Sequence, residues 1–359
     1  MFASVVLALA LQASSVAAPI EPPSHWPARE ADFIAHNVRF ATGETLGEVR
    51  IHYATLGAAH RNAHGDIDNA VMLLHGTGGT GRQFLQPQFA DQLFGRGQPL
   101  DIQHFWVIMP DNIGHGRSSK PSDGMRMHFP RYDYDDMVAL QHRLILEALH
   151  VRRLRLILGT SMGCMHAFVW GETYPNDVAA LMPLACEPVQ IAGLNRMWRQ
   201  MVIDGIENDP AWNHGDYSAQ PQQGLRTAAS VLVIAGAAPL NYQAQYGARD
   251  AAIAEARRRV ALSMSLIDAN DAIYQFDSSR NYNPWPNLER ITAPMMWVNS
   301  ADDFINPRNF DYPQRAVARM PNARFRLIAE TADTHGHGTH TWAVNWKQDL
   351  IELLARSGG

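Results

Sequence analysis

The stretch Gly159-Thr160-Ser161-Met162-Gly163 places a serine where nucleophilic chemistry is easiest to arrange. A run with strand character, Leu154 to Leu158, precedes it, and Cys164 to Tyr174, which can be helical, follows until Pro175 stops it. A tight strand-to-helix turn holds its central residue in a backbone conformation that most residues disfavour. Gly159 and Gly163 leave room across that turn. The turn lifts the Ser161 hydroxyl clear of the backbone and sets the Met162 N–H at a helix start, facing a developing oxyanion. A serine hydroxyl is a weak nucleophile near neutral pH. It needs a base within hydrogen-bond reach and a third group to orient that base.

Two later loops offer those groups. Asn299 to Pro307 contains Asp302 and Asp303, and Thr334 to His340 contains His335, His337 and His340. The spacing His-x-His-x-x-His also invites zinc. Zinc requires further ligands with orienting partners, and no matching motif occurs elsewhere in the chain. The loop is therefore read as the source of a base, and neither a metal nor another cofactor is expected.

The elements that must position these loops follow from the apolar pattern. Asn37–Thr42 and Glu48–Thr55 read as an edge hairpin, the second strand alternating imperfectly. Ala70–Leu74, Phe105–Met109, Leu154–Leu158 and Val178–Ala185 are short apolar runs that suit strands buried on both faces. Tyr134–His150 is an amphipathic helix. Strands alternating with helices predict an α/β protein with a doubly wound, mostly parallel sheet. After Glu187 the rhythm breaks into helical stretches, clearest at Asn195–Ile206 and Asp250–Ser265. It resumes at Ala293–Val298, Phe325–Ile328 and a final helix over about 341–355. The organisation read from this is a core from 18 to 187, a helical cap from 188 to 285 and the rest of the core from 286 to 359.

Strand, G-x-S-x-G and helix within such a sheet are the nucleophile elbow of the α/β-hydrolase fold, in which serine, acid and histidine follow one another along the chain. The acid then falls in the loop after Met295–Val298. In this fold it commonly stands four residues before a proline, which selects Asp303 and leaves Asp302 as a solvated neighbour. A Gly-His pair before the last helix selects His337, with His335 and His340 lining the mouth or capping the helix. The second oxyanion donor belongs to the loop after Ala70–Leu74, where the Thr77 N–H would pair with that of Met162.

The 30 Lys and Arg against 35 Asp and Glu leave a net charge of −5, which gives no support to a nucleic-acid or anionic-membrane partner. Near the N-terminus an apolar run, Val5 to Leu11, precedes Ser15-Val16-Ala17. This reads as a secretory signal over 1–17, cut after Ala17, and as a periplasmic or secreted protein. The run is too short for an ordinary membrane-spanning helix, so no stable anchor is expected. The two cysteines, Cys164 and Cys186, are read as buried free thiols, since a core this large needs no staple.

The elbow Gly-Thr-Ser-Met-Gly-Cys-Met-His-Ala resembles that of the homoserine O-acetyltransferases, a branch of the α/β-hydrolase superfamily. Phe129 to Val138 with Gln141 resembles it too. So does the cap stretch with Arg199, Asp209-Pro210-Ala211-Trp212-Asn213-His214-Gly215-Asp216-Tyr217 and Gly224-Leu225. The resemblance implies a Ser161–His337–Asp303 triad, an acyl-enzyme, Arg199 beside the acceptor's carboxylate and a helical lid that often forms a homodimer contact. It departs at Gly338, where the family carries an aspartate that partners homoserine's ammonium, and in the missing Thr-Tyr-Arg-Ser stretch.

These readings together lead to a serine acyl hydrolase of the esterase type, acting on a small carboxylic ester with water as acceptor. The alternative is an O-acyltransferase of the homoserine O-acetyltransferase type. A non-catalytic binding protein on the same fold would have no use for a full triad with two oxyanion donors.

Overall fold

The structure, a computed structural model, describes residues 24–358. The signal expected at 1–17 lies outside them. The strands are β1 (Arg29–Arg39), β2 (Thr45–Leu56), β3 (Ala70–Leu74), β4 (Trp106–Pro110), β5 (Leu156–Thr160), β6 (Leu181–Leu184), β7 (Met295–Ser300) and β8 (Ala323–Ile328). They form one sheet in the order β1-β2-β4-β3-β5-β6-β7-β8. β1 and β2 pair antiparallel, as do β2 and β4, and every other neighbouring pair is parallel. All residues of β3, β5, β6 and β7 are buried, which is why these strands read as unbroken apolar runs. The edge hairpin is longer than its sequence suggested. The polar residues of β1 are mostly exposed and are held by pairing from Arg29↔Thr55 to Arg39↔Thr45 rather than by burial.

The helices are α1 (Pro87–Leu93), α2 (Tyr134–Arg143), α3 (Met162–Thr173), α4 (Gly193–Glu207), α5 (Gln222–Ala235), α6 (Pro239–Gln245), α7 (Arg249–Leu266), α8 (Ala269–Asp277), α9 (Tyr312–Val317) and α10 (Lys347–Arg356). A capping box opens α2, with Asp133 and Asp136 each accepting the other's backbone N–H. The expected helix to His150 stays α-helical only to Arg143 and then widens into a π turn over Leu144–Ala148. The last helix begins at Lys347, because the histidine loop before it is taken up by short tight turns. Among the described residues no helix is long and apolar enough to cross a membrane.

Two apolar clusters cover the faces of the sheet, one built around Trp170, Phe168 and Trp297, the other around Phe84, Phe89 and Trp346. α4 to α8 lie between β6 and β7 in the chain. They close a third cluster of their own, with Trp198, Val202, Ile206, Leu225 and Phe276.

Cys164 and Cys186 are bonded to each other, contrary to the free thiols expected. The first turn of α3 and the end of β6 bring their Cα atoms to 5.8 Å, within disulfide range. Sequence separation carries no information on that approach.

Candidate active site

The elbow is strained where the sequence pattern requires. Ser161 has φ 54° and ψ −110° between the last residue of β5 and the first of α3. A Cβ on Gly159 would lie 1.9 Å from the Gly163 carbonyl oxygen, and one on Gly163 would lie 2.0 Å from the Leu74 oxygen of β3. No side chain fits either position. The Ser161 N–H donates to the Leu184 oxygen at 2.8 Å, which ties the nucleophile's backbone to the end of β6.

Ser161 Oγ lies 2.8 Å from His337 Nε2, and His337 Nδ1 lies 2.8 Å from Asp303 Oδ2. Three loops, after β5, β7 and β8, thus meet in one hydrogen-bonded line. Asp303 is buried, at 2% exposure. Burial favours its neutral form. The His337 charge and hydrogen bonds from His337, Asn306 and Ile305 outweigh burial and hold the carboxyl below its ordinary value. Its Oδ1 accepts the Ile305 N–H at 2.8 Å and the Asn306 N–H at 3.3 Å, and its Oδ2 accepts Asn306 Nδ2–H at 2.8 Å. With both oxygens occupied, the carboxylate has a single orientation to offer His337.

Asp302 is not the solvated neighbour its sequence position suggested. Its Oδ2 accepts from Thr334 Oγ1 at 2.7 Å and from the Gly336 N–H at 2.8 Å, so it holds the loop that delivers His337. His335 stacks on Trp342, with ring centres 4.0 Å apart. His340 packs edge-on to His337 at 5.2 Å. Burial, with the His337 charge adding, pushes its pKa down to about 3. His340 is therefore a neutral ring packed against His337.

The loop after β3 is seated directly on Ser161. A Cβ on Gly76 would stand 3.3 Å from Ser161 Cβ and 3.8 Å from its Oγ. Thr77, the next residue, has a hydroxyl oxygen that is buried without a partner among the described residues. His75 fastens this loop. Its carbonyl accepts the Gly163 N–H at 3.0 Å, its Nε2 accepts the Asn112 N–H at 3.0 Å, and its Nδ1 lies 2.8 Å from the Gly76 oxygen. That pattern requires the proton on Nδ1, and burial lowers the His75 pKa in keeping with a neutral ring. Behind it, Gln141 meets His166 Nδ1 at 3.1 Å and accepts Trp170 Nε1–H at 2.7 Å. Met162 occupies the first position of α3, as expected.

Arg199, on α4, is 2% exposed. Its guanidinium donates to Asn195 Oδ1 at 2.9 Å and to Ser279 Oγ at 3.4 Å, and it lies 4.8 Å from the Trp198 ring and 5.9 Å from the Phe276 ring. These partners are all uncharged. Burial lowers its pKa, with Tyr134 opposing.

Two residues of the site escaped the sequence reading. Glu187, just past β6, accepts from Asn299 Nδ2 at 3.0 Å, while its other carboxyl oxygen is buried without a partner among the described residues. Burial, with the charge of Asp303 adding, pushes this carboxyl up to about 8. Asn306 reaches from the acid's loop to the Ala185 oxygen at 3.0 Å. Its place three residues after Asp303 and just before Pro307 is the one local hint that it serves the acid.

The alpha/beta hydrolase fold family matches residues 69–334. A homoserine O-acetyltransferase of Moorella thermoacetica is 31% identical, across 87% of this chain and 91% of its own. Among solved structures, the homoserine O-acetyltransferase of Bacillus anthracis superimposes with a TM-score of 0.79 at 21% identity, covering 91% of this chain and 97% of its own. An acetylester hydrolase of Corynebacterium glutamicum gives 0.79 at 21%, covering 91% and 96%. At such identities the two structures speak for the fold alone. The fold, the family match and the Moorella relative agree: the chain is an enzyme of the α/β-hydrolase fold and belongs to its homoserine O-acetyltransferase-like branch.

Proposed function

We propose that the protein is a serine acyltransferase, passing an acyl group through Ser161 to the hydroxyl of a small acceptor that carries a carboxylate. The observation that carries this is Arg199, a buried guanidinium whose hydrogen-bond and ring partners are uncharged and which feels the like charge of Arg196. A buried charge without a counter-ion is costly, and a ligand carboxylate in bidentate contact offsets that cost. A simple esterase has no need of it. This reverses the order of the two readings drawn from the sequence, and the curated relatives named for acyl transfer favour the same order.

The chemistry follows from the line Ser161–His337–Asp303. His337 Nε2 takes the Ser161 proton as Oγ attacks the donor's carbonyl carbon. Asp303 keeps the imidazole in the tautomer with Nε2 free and stabilises the imidazolium. The oxyanion is received by the N–H groups of Met162 and Thr77. As the tetrahedral species collapses, the donor's alcohol or thiol leaves with the proton from His337, and acyl-Ser161 remains. The acceptor hydroxyl then gives its proton to His337 as it attacks the acyl carbon. When this second tetrahedral species collapses, His337 Nε2 returns the proton to Ser161 Oγ, the bond from Oγ to the acyl carbon breaks and the new ester departs.

Hydrolysis is the competing fate of acyl-Ser161, and Gly338 favours it. With no side chain there, an ammonium on the acceptor gains nothing from that position. Partition therefore depends on whether the carboxylate end alone orients the hydroxyl better than water. The disulfide also supports export, because such bonds persist in oxidising compartments.

The test is mass spectrometry of products from p-nitrophenyl acetate, with L-homoserine, 4-hydroxybutyrate or no acceptor. Transfer to a carboxylated alcohol, lost in Arg199→Ala, is the expected result. Free acetate as the sole product with every acceptor would restore the esterase reading.

A further inference from the structure

We propose that Asn306 is a positioning residue for the acid–base pair, fixing Asp303 by bridging it to the end of β6. The inference rests on Ser161, His337 and Asp303 acting as the triad.

Asn306 is 3% exposed. One side-chain amide group serves two acceptors on different elements: Nδ2 donates to Asp303 Oδ2 at 2.8 Å and to the Ala185 oxygen at 3.0 Å. The second acceptor is presented by an unusual backbone. Ala185 has φ 67°, a left-handed conformation that a residue with a Cβ seldom adopts. The cost of that conformation is borne at a point where the carbonyl meets Asn306.

Ala185 is held in turn by the elements that carry the reacting groups. Its N–H donates to the Val298 oxygen of β7 at 2.9 Å, and the preceding Leu184 oxygen accepts the Ser161 N–H at 2.8 Å. Cys186 follows, bonded to Cys164 in the first turn of α3. Its carbonyl accepts Trp297 Nε1–H at 3.0 Å. Leu184 to Cys186 is thus a fixed corner between the strand of Ser161 and the strand of Asp303. Through Asn306 the carboxylate is referenced to the same corner that holds the serine's backbone.

The bond has an electronic side as well. Asp303 Oδ2 is also the oxygen that accepts from His337 Nδ1. Donation from Asn306 draws on the same lone-pair density. Removing it leaves more negative charge to face His337, which favours the imidazolium and moves the acid limb of the pH–rate profile to higher pH. A residue needed for stability alone lowers the rate at all pH values alike.

The experiment compares Asn306→Ala and Asn306→Ser with wild type and Ser161→Ala in steady-state hydrolysis of p-nitrophenyl acetate from pH 5 to 9. For Asn306→Ala the expectation is a fall in kcat on the order of 10- to 100-fold with KM nearly unchanged, and an acid limb displaced upward. Asn306→Ser, which keeps a hydroxyl donor on the same Cβ, should recover part of the kcat. The proposal is overturned if Asn306→Ala keeps wild-type kcat. It is equally overturned if its profile superimposes on wild type in shape and the serine variant does no better. If Ser161→Ala retains full activity, the triad itself falls and this inference with it. An inactive Ser161→Ala beside an unaffected Asn306→Ala removes the inference only.

Discussion

Asp302 and Asp303 are neighbours in the chain that grip the same histidine loop at different points. Asp303 Oδ2 meets the His337 ring, while Asp302 Oδ2 takes Thr334 Oγ1–H and the Gly336 N–H on the approach to it. One carboxylate faces the His337 ring and the other secures the backbone that carries it. Asp303→Asn should lower kcat on the order of 10⁴-fold, since the amide favours the wrong imidazole tautomer. Asp302→Asn should cost about 10- to 100-fold, by loosening the loop. Steady-state kinetics on an acetyl ester checks both, and equal losses would contradict the division.

Ser161→Ala should remove on the order of 10⁴- to 10⁶-fold of kcat while leaving the melting temperature close to wild type. Among the histidines, His337→Ala should match it. His335→Ala and His340→Ala should be much milder, because those rings pack beside the hydrogen-bonded line without joining it. Activity that survives in His337→Ala and disappears in His335→Ala would move the base to another residue.

Glu187 makes stability depend on pH in a definite direction. Its native carboxyl is raised from an ordinary 4.5 to about 8, so between those values the native state holds a proton that the unfolded chain has lost. Unfolding then releases a proton, and stability falls as pH rises through this window, by at most about 1.4 kcal/mol per unit. Glu187→Gln keeps the oxygen that faces Asn299 and removes the titration. Thermal melts of wild type and variant should diverge between pH 5 and 8 in the variant's favour. Parallel curves would mean that Glu187 ionises normally.

The Cys164–Cys186 bond closes a segment with a sequence separation of 22. Replacing both cysteines by alanine should lower unfolding free energy by about 3 kcal/mol on the chain-entropy account. Urea titration measures this, and an unmoved midpoint would show the bond to be dispensable. If the chain is exported as its first residues suggest, the mature protein begins at Ala18. N-terminal sequencing of the extracytoplasmic fraction tests that, and an intact Met1 in the cytosol would refute it.

Much of the site was legible because its signals are local. The glycines flanking Ser161, the Asp before a loop proline and the Gly-His pair before the last helix each report on a turn a few residues long. What stayed hidden depends on distant partners. Asn306 and Ala185 stand 121 residues apart, and only the parallel pairing of β6 with β7 brings them together. The same holds for the two cysteines and for Glu187, whose partner Asn299 lies on β7. Asp302 was misread because its partners lie after β8. β1 was underestimated because a strand held by edge pairing leaves little apolar periodicity to read.

The helices between β6 and β7 enter and leave the sheet on adjacent strands, with Leu184 facing Val298 across the pair. Neighbouring strands run about 4.8 Å apart. Because the pair is parallel, the excursion leaves at the end of β6 and returns at the start of β7, where Met295 stands beside Leu181, so it spans one strand length and leaves the sheet complete behind it. Lengthening such an excursion costs little, roughly 0.6 kcal/mol per doubling for a flexible chain. Arg199 belongs to this excursion, whereas Ser161, Asp303 and His337 belong to the sheet's own loops. Descendants of such a chain can rebuild the surface around Arg199 without rethreading a single strand, so that surface and the loops of Ser161, Asp303 and His337 are free to diverge at different rates.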